Sequence, residues 1–91
     1  MIETVIDVEL FGIPRQRAGV SKTTVSASRL GEAIVELAGR YPDLIEVGLD
    51  PSGRLGGSVA ANLNGDRFIT DPDTPLTEGD VLLILSADAG G

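Results

Sequence analysis

Thr74-Pro75-Leu76-Thr77-Glu78-Gly79-Asp80-Val81-Leu82-Leu83-Ile84-Leu85-Ser86-Ala87-Asp88-Ala89-Gly90-Gly91 closes the sequence and governs how the rest is read. Pro75 and the triplet Glu78-Gly79-Asp80 are turn chemistry: Pro presets φ, Gly reaches positive φ and Asp bonds its own neighbouring backbone. A strand therefore starts at Val81. Val81 to Leu85 is apolar without alternation, which fits a strand covered on both faces, or one whose second face is kept apolar for a partner. Small residues follow it at once and end on two glycines, so residues 86–91 read as a flexible C-terminal tail leading off a core strand.

Upstream, Val59, Ala61 and Leu63 alternate into Asn64-Gly65, a pair that tolerates the positive φ of a tight hairpin turn, and Arg67-Phe68-Ile69 returns. Asp71-Pro72-Asp73-Thr74-Pro75 is a turn cluster, and Gly48 to Ser58 reads as a mobile surface loop. Further back, Leu30, Ile34, Leu37, Ala38 and Tyr41 form one stripe of an amphipathic helix over 29–41. Ser26 or Ser28 caps its start and Pro42 stops it. Gly31 and Gly39 weaken that helix by about 1 kcal/mol each relative to Ala, so packing must hold it. At the other end Ile2, Thr4, Ile6, Val8 and Leu10 alternate with acids in a first strand. Gly12, Pro14 and Gly19 break the pattern before Thr23, Val25 and Ala27 resume it, predicting an antiparallel hairpin with a long loop. The order is strand, strand, helix, strand, strand, strand: an α+β roll, a mixed sheet of about five strands with one main helix across one face. One long helix covers one face, so part of the other is left for a partner or for loops.

With 91 residues, 42% hydrophobic and 23% charged, the chain is expected to be one globular domain over 1–91. There is no Cys and no His, which removes thiolate nucleophiles, disulfides, Fe–S clusters, ordinary zinc sites and imidazole catalysis; no metal site is expected. Seven basic against fourteen acidic residues give a net charge of −7, unfavourable for nucleic acid and for anionic membranes. The N-terminus carries acids where a secretory signal carries cations, and no apolar stretch is long enough to span a bilayer, so a cytoplasmic location is expected. Arg15 and Arg17 read as solvated loop residues, Lys22 as an ordinary surface lysine, and Asp71 and Asp73 as turn residues. Gly53 to Gly57 lacks the Lys-Ser/Thr of a phosphate loop.

The tail carries sharper chemistry. Glycine has no Cβ, so a Gly-Gly end can thread a narrow channel and present its terminal carboxylate to a buried reagent. From Asp88 to Gly91 the reach is about 13 Å at about 3.3 Å per residue. A carboxylate is a poor electrophile; an enzyme holding ATP must convert it to an acyl-adenylate before a sulfur nucleophile can displace AMP and leave a thiocarboxylate. In that scheme this protein is substrate and carrier.

Taken together, Val8-Glu9-Leu10-Phe11 leading to Ala18-Gly19, Arg40-Tyr41-Pro42 at the helix end, the Asn64-Gly65 hairpin, Thr74-Pro75-Leu76-Thr77-Glu78-Gly79-Asp80-Val81 and terminal Gly90-Gly91 resemble the MoaD/ThiS family of ubiquitin-like sulfur carriers over nearly the whole chain. The resemblance implies the β-grasp (ubiquitin-like) fold, with Gly91 adenylated and converted to the thiocarboxylate and Gly90 giving the narrow approach. Phe11 and the last strand, through Val81, Leu83 and Leu85, would form the docking surface. The implied partners are a ubiquitin-activating-type adenylating enzyme that uses ATP, a sulfur donor, and a sulfur-accepting synthase or transferase subunit. No cofactor is held permanently, and the protein is a cosubstrate, at most a small non-catalytic subunit, not an enzyme. The resemblance puts cofactor biosynthesis first, with molybdopterin as the leading acceptor and thiazole, thiolated tRNA, cysteine or another metabolite as the others. The alternative is a β-grasp interaction module without tail chemistry.

Overall fold

Five strands and three helices, spanning residues 3–87 of a computed structural model, make up the described part of the chain. They run β1 (Val5–Leu10), α1 (Gly12–Ala18), β2 (Lys22–Ser26), α2 (Leu30–Arg40), α3 (Asp43–Val47), β3 (Val59–Leu63), β4 (Arg67–Ile69) and β5 (Val81–Ser86). The sheet order is β2-β1-β5-β3-β4, with β1 and β5 parallel and the other pairs antiparallel. This is the expected mixed sheet, with β5 at its centre. No helix of the described residues is long and apolar enough to cross a membrane.

Period two in β1 sends Ile6, Val8 and Leu10 to one face, where the 3.6-residue stripe of α2 (Leu30, Ala33, Ile34, Leu37) joins them in one core; all are buried. Leu82 and Ile84 of β5 complete that core and are fully buried. The Glu78-Gly79-Asp80 turn is laced onto β1: the Val5 N–H donates to Glu78 Oε1, Gly79 N–H to Val5 O, and Asp7 N–H to Asp80 O. Asp80 itself accepts from the Thr77 N–H and hydroxyl and from the Asn64 side-chain amide. These bonds fix where β5 starts, and so which of its residues face the core.

Several local expectations are corrected. The loop between the first two strands holds helix α1. Its supposed breakers are its boundary signals: Pro14 lies in the first turn, where no intrahelical N–H bond is lost, and Gly19 ends the helix at φ 80° with its N–H on Arg15 O. Arg17 is therefore a helical residue, ion-paired to Glu46 at 2.9 Å. No side chain caps α2; the carbonyls of Thr74 and Pro72 accept from the N–H groups of Leu30 and Gly31, while Glu32 reaches back to Ser28. Pro42 does not only follow α2 but opens α3. The segment 48–58 is anchored: Leu49 is fully buried, Leu49 and Leu55 form a β-bridge, and Gly53 lies against Gly31. Ser86 and Ala87, expected in the tail, are held to the sheet: Ser86 ends β5 and the Ala87 N–H donates to Ser58 O.

Candidate functional site

Because β5 is central and alternates, its apolar run divides. Leu82 and Ile84 point into the core, and Val81, Leu83 and Leu85, each half-buried, lie on the opposite face, away from the α2 stripe. The sequence-predicted docking residues are thus brought together. Phe11 joins them: its backbone is still extended (φ −129°, ψ 153°) and its N–H donates to Ile84 O at 2.9 Å. Alternation then places it on the side of Asp7 and Glu9, next in register to Leu85. Gly12 follows at φ 59° and turns the chain into α1; the bend ends the strand and leaves Phe11 42% exposed at the sheet's end.

Register supplies the rest of the face. One row runs across all five strands: Lys22, Glu9, Leu83, Asn62 and Phe68 stand opposite one another in turn. In the neighbouring row Thr24 and Asp7 precede Val81, and at the other end Ala60 stands beside Leu85. The arrangement is an apolar centre with acids toward β1 and an aromatic at each of two corners. Phe68 is 64% exposed. A shallow groove of about 450 Å³, lined by Leu55, Gly57, Ala60, Phe68, Thr70 and Ala87, runs along the β3–β4 side to the last described residue.

Sequence reading missed Phe68, Asn62 and the acids. A two-residue turn at Asn64-Gly65 would pair Ala61 with Phe68 and bury the ring. Three residues separate the pair Leu63 and Arg67, with the Asp66 N–H on Leu63 O, so Phe68 stands opposite Asn62 and Ile69 takes the core position beside Ala61. Only the loop length carries that signal.

The face presents apolar area, the carboxylates of Asp7 and Glu9, the Asn62 amide and, at its β2 edge, Thr24 and Lys22; among the described residues there is no cluster of metal-ligating side chains. Asp71 and Asp73 form the turn their sequence predicts, the Asp73 N–H donating to Asp71 Oδ1. Gly90 and Gly91, the expected threading and modified residues, lie outside the described residues.

Among solved structures, small archaeal modifier protein 1 of Methanosarcina acetivorans is 26% identical with a TM-score of 0.80, covering 100% of both chains. Mycobacterium tuberculosis CysO is 28% identical with a TM-score of 0.74, over 90% of this chain and 98% of its own. The complex of subunits 1 and 2 of the molybdopterin-converting factor of Helicobacter pylori contains a chain 26% identical, TM-score 0.66, covering 97% of this chain and 100% of its own. No curated protein sequence matches. These neighbours share the β-grasp, ubiquitin-like architecture, and the ThiS family model matches residues 8–91, from the second inward residue of β1 through the final glycine; the chain belongs to the ThiS family.

Proposed function

We propose that the chain is a single sulfur-carrier domain whose Gly91 is activated and loaded with sulfur, and which hands that sulfur to an acceptor docked on the open face of its sheet. The observation that carries this reading is the family match running through Gly91, five residues beyond the end of the central strand in sequence. A ubiquitin-activating-type enzyme attacks the ATP α-phosphate with the Gly91 carboxylate, releasing pyrophosphate and leaving the acyl-adenylate. A donor of sulfide-level sulfur then attacks the acyl carbon; the new C–S bond replaces the C–O bond to AMP, and AMP leaves with the bonding pair to give the thiocarboxylate. Phe11, Val81, Leu83 and Leu85 give the docking surface, supported by their common exposure on one face. The Helicobacter pylori neighbour is a subunit 1 seen in complex with subunit 2, and on that model we assign the acceptor to a synthase-type subunit, with molybdopterin formation as the leading pathway. ATP belongs to the activating enzyme; this chain holds no cofactor of its own and acts as a cosubstrate in the cytoplasm.

Mass spectrometry tests the chemistry. After incubation with the activating enzyme, ATP and a sulfur donor, one terminal oxygen should be replaced by sulfur, a gain of about 16 Da that chymotryptic mapping places in the Gly90-Gly91 peptide. Deleting Gly90 and Gly91, or adding one residue after Gly91, should abolish the gain. Sulfur loading that survives either change overturns the proposal, and a wild-type protein that no activating enzyme adenylates points instead to an interaction module.

A further inference from the structure

At the middle of the open face sits a polar atom without a partner. Asn62 is 9% exposed, and its Oδ1 is buried with no hydrogen bond. A buried amide oxygen left unpaired costs roughly 1–3 kcal/mol, so such groups are few in native structures. On this side of β3 the only structural demand is for contact, which a Leu or Val would meet better. Two strands away, with Leu83 between them in register, stands Glu9. Glu9 is half-buried as a residue, and the ion pairs among the described residues (Arg17 with Glu46, Arg29 with Glu32 and Asp73, Arg40 with Glu36) do not include it. Lys22 stands opposite Glu9 in β2 and still forms no pair with it.

We propose that Asn62 and Glu9 form a recognition site for an arginine side chain of the docking partner, laid across Leu83 with its guanidinium held between the amide oxygen and the carboxylate. The two backbones are two strand spacings apart, about 10 Å, and each side chain spans part of that gap. A planar fork of five donors fills the remainder and can serve both acceptors at once, whereas the compact ammonium of a lysine serves one. Its flat face stacks on the Leu83 side chain. Oδ1 has no hydrogen bond where it is, so turning it toward the guanidinium breaks none that the oxygen makes. The net charge of −7 selects for a cationic partner and against a second copy of this chain. The inference rests on the docking-face reading and adds to it the chemistry that chooses the partner, since an apolar face alone discriminates poorly.

The test uses no activating enzyme, so its failure is separable from failure of the sulfur chemistry. Argininamide is titrated into the ¹⁵N-labelled full chain, with lysinamide as control, and the Asn62 side-chain amide and the backbone amides of Leu83 and Phe68 are followed. Argininamide should shift all three saturably, and lysinamide should bind at least about threefold more weakly. Asn62→Leu should retain or raise the melting temperature yet remove the shifts at Leu83 and Phe68. Glu9→Gln, which keeps shape and loses charge, should weaken binding by about tenfold. Equal shifts from both ligands, shifts centred away from Leu83, or an Asn62→Leu protein that binds as the wild type does would each overturn the proposal.

Discussion

Neighbouring residues of β5 answer to different demands, and truncating them one at a time separates the two. Ile84 is 0% exposed and lies between Leu10 of β1 and Ala61 of β3. Ile84→Ala removes three buried carbons and leaves a cavity that a central strand, held on both edges, cannot collapse; the cost should be about 3 kcal/mol. A chain of this size has on the order of 5–14 kcal/mol in all. At about 0.19 kcal/mol per kelvin of unfolding entropy, the melting temperature should fall by about 15 °C. Leu83 points the other way and is already partly in water, so Leu83→Ala should lose only about 1 kcal/mol of burial and about 5 °C. Binding should show the reverse order. Leu83→Ala should weaken association with the activating enzyme by about tenfold, while Ile84→Ala, assayed well below its melting point, should leave it unchanged. Thermal and urea unfolding by circular dichroism, with calorimetric titration for binding, read both quantities. Equal losses of stability for the two variants would refute the division of the strand into a core side and a docking side.

Hydrogen bonds from the Thr77 N–H first, then the Asn64 amide and the Thr77 hydroxyl, hold the Asp80 carboxyl below its ordinary pKa. A folded value below the unfolded one means this stabilisation is present above about pH 4, the unfolded value, and is lost as pH falls through the folded value. Asp80→Ala should cost about 1–2 kcal/mol at pH 7, and Asp80→Asn should flatten the acid limb of a urea-midpoint series between pH 7 and pH 2.5. Gly53 has φ 96°, and a Cβ there would lie 2.9 Å from Gly31 O; Gly53→Ala should cost at least about 2 kcal/mol. Gly57→Ala, with open space around it, should stay within about 0.5 kcal/mol in the same unfolding assay. Arg40 donates to Thr24 O and pairs with Glu36, which in turn accepts the Ser26 N–H, so together they cover the outer edge of β2. Glu36→Ala combined with Arg40→Ala should lower stability by only about 1 kcal/mol but raise light scattering near the melting point, because an uncovered edge pairs with other chains.

What the sequence discloses depends on how far a signal extends along the chain. The α2 stripe repeats for three turns, and β1 alternates through Ile6, Val8 and Leu10, so both are legible and both lie where their periods put them. Helix α1 has seven residues and α3 five, too few for a period to stand out. Their Gly and Pro residues read as breaks, although Pro14 and Pro42 stand at helix starts. The loop 48–58 misleads for a related reason: its composition is that of mobile chain, but a single residue, Leu49, fully buried, ties it to the core. Composition averages over a segment and is blind to one anchor.

The proposed docking face follows another rule. Val81, Leu83 and Leu85 could be chosen from the sequence because they share one strand and because a single long helix leaves a face bare; both facts are local or countable. Asn62, Glu9 and Phe68 could not, because their nearness to Leu83 is a property of register between strands that are far apart in the chain. One extra residue in the hairpin decides whether Phe68 is core or surface. The orphan Asn62 Oδ1 is likewise invisible until its neighbours are known, since an asparagine in a strand is ordinary and only its lack of a partner is informative. Apolar patterning along one strand therefore reports that a face is apolar, and cross-strand register reports which polar and aromatic groups stand beside it.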